Sequence, residues 1–162
     1  MKYLIREAID KDIKKINEIF IEMNNYINKI RISNNLESID EFKNGYPSNF
    51  LEEYLKDKNK KILVVDFNNT VIGYLSLEIY KDEDYCYIDD FCIDEKYRGK
   101  GIGSSLIEES IKITKEYKIN NIRLHVFSFN TQAIKLYTKY DFNEISRENN
   151  RLLLEKRIDY EL

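Results

Sequence analysis

The run Arg98-Gly99-Lys100-Gly101-Ile102-Gly103 constrains this 162-residue chain more than any other segment, because three of its five glycines fall within five positions. It follows a strand-like run, Tyr85 to Ile93, and precedes a helical one, about Ile102 to Tyr117. Glycine costs backbone entropy, so a chain this poor in it uses it where no other residue fits. A glycine-rich turn that opens a helix offers bare N–H groups to an anion, and the helix dipole adds partial positive charge. Arg98 and Lys100 add full charges. A further strand-like run, 121–127, alternates Ile122, Leu124 and Val126 with Arg123, His125 and Phe127. Strand, loop, helix and strand imply a right-handed β-α-β crossover. The loop then sits at the carboxyl end of the first strand, where open α/β sheets bind ligands.

The flanking segments have their own periods. A strand is expected over 2–8, with Asp10 as a helix N-cap. Ile13, Ile16, Phe20, Met23 and Ile27 step by three and four and mark an amphipathic helix. A second helical region, 36–57, is interrupted by Asn44-Gly45-Tyr46-Pro47. Strands over 61–67 and 71–80 flank Asn68-Asn69-Thr70, a hairpin signal. Asn130 caps a helix to about Tyr140, and strands over 142–147 and 151–158 close the chain. The order is β-α-α-β-β-β-α-β-α-β-β, without repeat or linker, so residues 1–162 are expected to form a single domain.

The net charge of −3 argues against general nucleic-acid affinity. No stretch approaches the ~18 apolar residues of a membrane span, and no signal peptide is apparent. Cys86 and Cys92 share one strand-like run without any zinc-binding spacing. They are expected to be reduced apolar residues in a cytoplasmic protein. Residues 80–95 hold seven acids and one base, and residues 96–123 hold seven bases and three acids. The sign changes at the loop, as an anionic cofactor beside a cationic partner would require. The plainer reading of such charge runs is a solvated face.

Two nucleotide-binding patterns fail. Walker A does not match, and Ser104 stands where G-x-G-x-x-G needs its last glycine. What remains is Arg-x-x-Gly-x-Gly after an acidic and apolar strand, Ile88-Asp-Asp-Phe-Cys-Ile-Asp-Glu-Lys-Tyr-Arg-Gly-Lys-Gly-Ile-Gly103. This stretch resembles the signature of the GNAT superfamily of acyl-CoA-dependent N-acetyltransferases. Asn130-Thr-Gln-Ala133-Ile-Lys-Leu-Tyr137-Thr-Lys-Tyr-Asp-Phe142 resembles that family's later Asn…Ala…Tyr…Phe motif. Asp141 departs from it, standing where glycine usually ends the helix; Asp tolerates the left-handed conformation better than most residues.

The resemblance implies a GNAT-like α/β (mixed α+β) single domain. Its sheet of six to seven strands is mostly antiparallel, is flanked by about four helices and contains one central parallel β-α-β unit. The resemblance also implies acetyl-CoA as cofactor and no metal. The pantetheine would run along Phe91, Cys92 and Ile93, with Asn130 and Ala133 also at the cofactor. The pyrophosphate would sit on the amides of Arg98, Gly99, Lys100, Gly101, Ile102, Gly103 and Ser104. Tyr137 would stand near the thioester sulfur as general acid. The plainer readings are a surface charge for Arg98, solvent exposure for Lys100, an N-cap for Asn130 and a buried aromatic for Tyr137.

Asp89 and Asp90 are the candidate bases. As neighbours on a strand they are expected on opposite faces, with Asp89 preferred. His125, the only histidine, has no obvious partner and reads as structural.

The acceptor site is expected from residues 22–58. Six acids against two lysines in 36–57, with Tyr26, Tyr46 and Tyr54 nearby, suit a cationic amine such as a polyamine, an aminoglycoside or a basic peptide. Exposed helix faces are the plainer account. The expected partner is an amine, with neither nucleic acid nor membrane, and a homodimer is compatible with the sequence. The expected activity is acetyl transfer to a primary amine in a ternary complex. A noncatalytic acyl-CoA-binding module and a nucleotide-phosphate binder are the alternatives.

Overall fold

A computed structural model describes residues 1–160. Its elements are β1 (Leu4–Glu7), α1 (Ile13–Ser33), α2 (Phe50–Lys56), β2 (Lys60–Phe67), β3 (Thr70–Tyr80), β4 (Tyr85–Ile93), α3 (Ile102–Glu116), β5 (Asn121–Phe127), α4 (Thr131–Lys139), β6 (Asn143–Glu148) and β7 (Arg151–Arg157). The seven strands form one sheet in the order β1-β2-β3-β4-β5-β7-β6. Only β4 and β5 pair in parallel, joined by α3 as the expected crossover. The mixed, mostly antiparallel α/β class is therefore as expected. No helix among the described residues is long and apolar enough to cross a membrane.

The β2–β3 turn consists of Asn68 and Asn69, both at positive φ, between the paired Phe67 and Thr70. That is the two-residue hairpin turn whose twist suits antiparallel strands. Asp141 has φ 65, the left-handed conformation expected of it.

Two expectations shift. Asp10 starts a short 3-10 turn, and Asp12 anchors the entry to α1: it accepts the Ile9 N–H at 2.9 Å and pairs with Arg6 at 2.8 Å. The helical region 36–57 shrinks to α2. Gly45 at φ 99, Pro47 and left-handed Asn49 cannot continue a helix, and they leave 36–49 as turns and irregular chain.

Helices cover both faces of the sheet. On one face Ile102, Leu106, Ile107 and Ile113 of α3 and Tyr137 of α4 pack on Leu75, Leu77, Cys86, Ile88, Ile93 and Leu124. On the other, Ile16, Ile19 and Phe20 of α1 and Leu51 and Tyr54 of α2 pack on Ile62, Val64, Tyr74 and Cys92. Cys86 and Cys92 are free and buried in different layers. Strict alternation along one strand would put them on the same face, so something between them reverses the pleat.

Candidate active site

The reversal is a β-bulge. Leu77 pairs with Ile88 and Leu75 with Phe91, so Asp89 and Asp90 together oppose Ser76 alone. The Ser76 hydroxyl accepts the Asp90 N–H at 2.9 Å and replaces the ladder bond lost there. Before the bulge, Cys86 and Ile88 face α3. After it, Ile93 does, and Cys92 faces α1 and α2. Asp89 and Asp90 consequently share the α1/α2 side, not opposite faces as alternation predicts.

β4 also parts from β5 at this point. Their parallel ladder covers only Tyr85↔Asn121 to Ile88↔Leu124. The Asp94 N–H bonds Ile72 O at 2.9 Å. By alternation, Cys92 therefore exchanges its backbone bonds with Tyr74, and the backbone groups of Phe91 and Ile93 turn toward the gap. Of these, the Ile93 carbonyl is held by Arg98 Nε at 3.0 Å.

A cavity of about 340 Å³ opens on this gap. It gathers Phe91, Ile93, Arg98, Gly99, Gly101, Ile102, Gly103, Ser104, Asn130, Ala133 and Tyr137, all singled out from the sequence. Two expected members are elsewhere. Lys100 is exposed and outside the lining, its plainer reading. Cys92 points into the α1/α2 core, its Sγ 3.5 Å from the Tyr74 hydroxyl.

Gly99 and Gly101 have φ 75 and 81, and a Cβ on either would project into open space. The first helical bond of α3 runs from Ser105 N–H to Gly101 O. The amides of Ile102, Gly103 and Ser104 are thus left without intrahelical partners. Arg98 stacks over Tyr26 at 4.9 Å and lies 3.7 Å from Glu22, while its buried Nη2 has no hydrogen-bond partner. Asn130 caps α4 by accepting the Ala133 N–H at 3.4 Å. Tyr137 is 6% exposed, edge-on to Phe91 at 6.3 Å and tilted on Phe142 at 5.8 Å. Burial holds its phenol far above the ordinary tyrosine range, with Cys92 adding to the effect.

A second cavity, about 650 Å³, lies on the α1/α2 side, lined by Phe20, Phe42, Tyr46, Phe50, Tyr87 and Phe127 together with Glu41, Asp89, Asp90, His125 and Arg151. Asp90 and Phe91, consecutive in β4, line one cavity each. Tyr46 is stacked between Phe20 at 3.7 Å and Phe50 at 5.1 Å. Its hydroxyl donates to Asp90 at 2.6 Å and lies 2.8 Å from that of Tyr74. Burial raises the Asp90 pKa, and the Tyr46 bond holds it down.

Asp89 is exposed at the cavity edge, yet the protein around it pushes its carboxyl up to about 7, by desolvation first, then by Asp90 and Glu78, against Lys60 and Arg151. Tyr26 and Tyr54 do not line this cavity; Tyr46 does. Sequence reasoning missed two residues, His125 and Arg151. The His125 Nδ1 lies 2.5 Å from the Tyr87 hydroxyl, and burial lowers its pKa. Strand alternation alone could have placed His125 on the same face as Phe127.

The model described as "Acetyltransferase (GNAT) family" matches residues 31–142. The L-amino acid N-acetyltransferase AaaT of Escherichia coli is 28% identical over 144 residues, 86% of this chain and 82% of that protein. An N-alpha-acetyltransferase of Sulfolobus acidocaldarius is 30% identical over 112 residues, 62% of this chain and 67% of that protein. The structure of yncA from Salmonella typhimurium, solved with its cofactor acetyl-CoA, has a TM-score of 0.75 at 16% identity. The match covers 100% of this chain and 97% of that one, and it shows a shared fold.

Proposed function

We propose, from the premise that this chain belongs to the acetyltransferase (GNAT) family, that it transfers an acetyl group from acetyl-CoA to a primary amine by direct attack in a ternary complex. The observation that carries this reading is the division of bulged β4 between two cavities. Phe91 faces an amide-lined anion cradle, and Asp90 faces an acidic, aromatic pocket.

The residues present fit the cofactor. Free amides at the start of α3, left-handed glycines whose Cβ positions are open space, and the Nη2 of Arg98, which has an ion pair with Glu22 at 3.7 Å but no hydrogen bond among the described residues, suit a pyrophosphate. The backbone groups of Phe91 and the Ile93 N–H, turned away from β3, suit the amides of a pantetheine arm, with Asn130 and Ala133 lining the same cavity. When bound, acetyl-CoA supplies a thioester-activated acetyl group.

This chain's residues handle the protons. Asp89, with a pKa close to neutrality, takes the proton of the incoming ammonium, directly or through water. Asp90, which accepts the Tyr46 hydroxyl, adds to the rise in the Asp89 pKa. Tyr137 retains its phenolic proton across the working pH range and would have it available for the leaving thiolate, and the second proton that the amine sheds as the amide forms would restore the phenol.

A thiol-release assay with acetyl-CoA and a panel of amines tests the reading, with one thiol expected per acetylated amine. A chain that binds CoA in calorimetry but releases thiol with no amine would be the noncatalytic binding module instead.

The pH profile carries a sharper test. A carboxyl raised to about 7 is protonated below that pH and ionised above it. Base activity is therefore present above 7, and kcat/KM falls as pH drops through 7. Asp90→Asn removes a charge that raises the Asp89 pKa, so the acid limb should move to lower pH. Comparing it with the wild type on one acceptor cancels the titration of the amine itself. An unmoved limb, or one moved upward, excludes Asp89 as the base.

A further inference from the structure

The second cavity differs in charge from the sequence expectation. Of the six acids in residues 36–57 that favoured a polycationic acceptor, only Glu41 lines it. Asp89 and Asp90 stand on the β4 wall, beside the cofactor cavity. On the far wall is Arg151, the first residue of β7 and the Cα partner of Phe127.

β5 alone separates β7 from β4 in the sheet, two strand spacings of about 10 Å where the ladder is intact and more where β4 parts from β5. A long arginine side chain spans much of that distance. The arginines on adjoining strands are committed to partners: Arg123 to Glu155 at 2.6 Å and Arg147 to Glu144 at 2.8 Å. Among the described residues Arg151 makes no ion pair within 4 Å, although its cavity contains three carboxylates. Its register opposite Phe127 puts it on the cavity side of the sheet, and its charge offsets part of the rise in the Asp89 and Tyr87 pKa values and adds to the fall at His125. The Tyr87–His125 pair fills the wall between, and with the histidine pKa lowered Arg151 is the one cation of the lining at neutral pH.

The β4 wall thus carries two carboxylates and the far wall the Arg151 guanidinium, with Arg31 over the Phe127 ring at 5.3 Å beside it and Glu41 on the irregular segment before α2. An exposed guanidinium without an ion pair among the described residues matches a planar carboxylate, which it can grip with two parallel N–H donors. A diamine of the same length would bring its distal charge against that cation.

We propose that the acceptor is a small amino carboxylate, its ammonium directed to Asp89 and Asp90 and its carboxylate gripped by Arg151, which makes Arg151 the residue that determines acceptor specificity. The inference rests on the second cavity being the acceptor site of an acetyltransferase.

The test compares acceptors that differ only in the carboxylate: leucine against isopentylamine, with β- and γ-amino acids to vary the span, leucinamide to remove the charge, and putrescine as a diamine. Thiol release gives kcat/KM. The wild type should prefer the amino acid over its decarboxylated partner by roughly 10- to 100-fold, the effect of one hydrogen-bonded charge. Arg151→Ala should abolish that preference by raising KM far more for the amino acid than for isopentylamine, while the loss of its charge beside Asp89 moves the acid limb upward for both acceptors alike. Arg151→Lys should retain part of it, and Arg151→Glu should turn the preference toward putrescine. Arg151 is exposed, and unchanged thermal unfolding of each variant would show that the fold is intact.

Equal or better turnover of isopentylamine, leucinamide or putrescine by the wild type overturns this inference and leaves the transferase reading standing. So does an equal loss for all acceptors in Arg151→Ala. Thiol release with no acceptor at all overturns both.

Discussion

Tyr137→Phe is expected to lower kcat by about 10²- to 10⁴-fold, the usual contribution of a positioned proton donor. The ring is held by Phe91 and Phe142 and is almost fully buried. Phenylalanine keeps that packing, so the melting temperature and the Kd for acetyl-CoA should change little. The selectivity of the loss is what identifies the role. A phenol that only filled space would leave kcat alone, and one that mainly bound the cofactor would move Kd. Burial raises the Tyr137 pKa, so the wild-type acid should stay competent throughout the alkaline range. Full turnover by Tyr137→Phe at every pH would remove it from the mechanism.

Gly101→Val is expected to weaken CoA binding by roughly 5- to 30-fold, with KM for acetyl-CoA rising in parallel. The residue caps α3 at φ 81, ψ 4. A β-branched side chain there meets a backbone cost of about 1–2 kcal/mol, and relieving it turns the adjoining amides away from their common focus. Nothing lies within 4 Å of a Cβ at Gly101, so neighbours do not resist the substitution; the harm falls on the backbone and on the open space a ligand needs. Gly101→Asn separates the two effects. Asparagine tolerates the left-handed region, so it should retain more affinity than valine. Calorimetric titration with CoA reads both variants, and valine binding as tightly as glycine would remove this loop from the cofactor site.

Much of the fold was legible because its signals are local. The three- and four-residue steps from Ile13 to Ile27 mark α1, and Asn68-Asn69 marks the hairpin. The loop at 98–103 lies between a strand and a helix whose crossover leaves few topologies. Asp141 could be assigned a left-handed backbone from its place at the end of a helix.

What escaped depends on pairing between distant segments. No residue type announces the bulge at Asp89 and Asp90; it follows from the register of β3 against β4, with Ser76 completing the bonding. That slip alone moves both carboxylates to one side and sends Cys92 away from the cavity at Phe91 and Ile93. Arg151 and His125 reach the second cavity through the registry of β7 on β5 and the parting of β4 from β5, neither of which is written in a motif. Residues 36–49 deceived for a different reason: their composition suits a helix, but Gly45, Pro47 and Asn49 impose turns that outweigh it.

The short parallel seam between β4 and β5 has a mechanical meaning. Four residue pairs, Tyr85↔Asn121 through Ile88↔Leu124, are all that stitch strands β1–β4 to β5–β7 within the sheet. A pantetheine arm lying along Phe91 and Ile93 would extend that seam, standing in for missing strand residues. The donor would then be a structural member of the sheet as well as a reactant. Each release of CoA would reopen a cleft through the middle of the sheet, and amide exchange at Phe91 and Ile93 would follow the catalytic cycle. Ligand at 100 times its Kd would add about 2.7 kcal/mol to global stability, so turnover and resistance to unfolding would rise and fall together with the acyl-CoA supply.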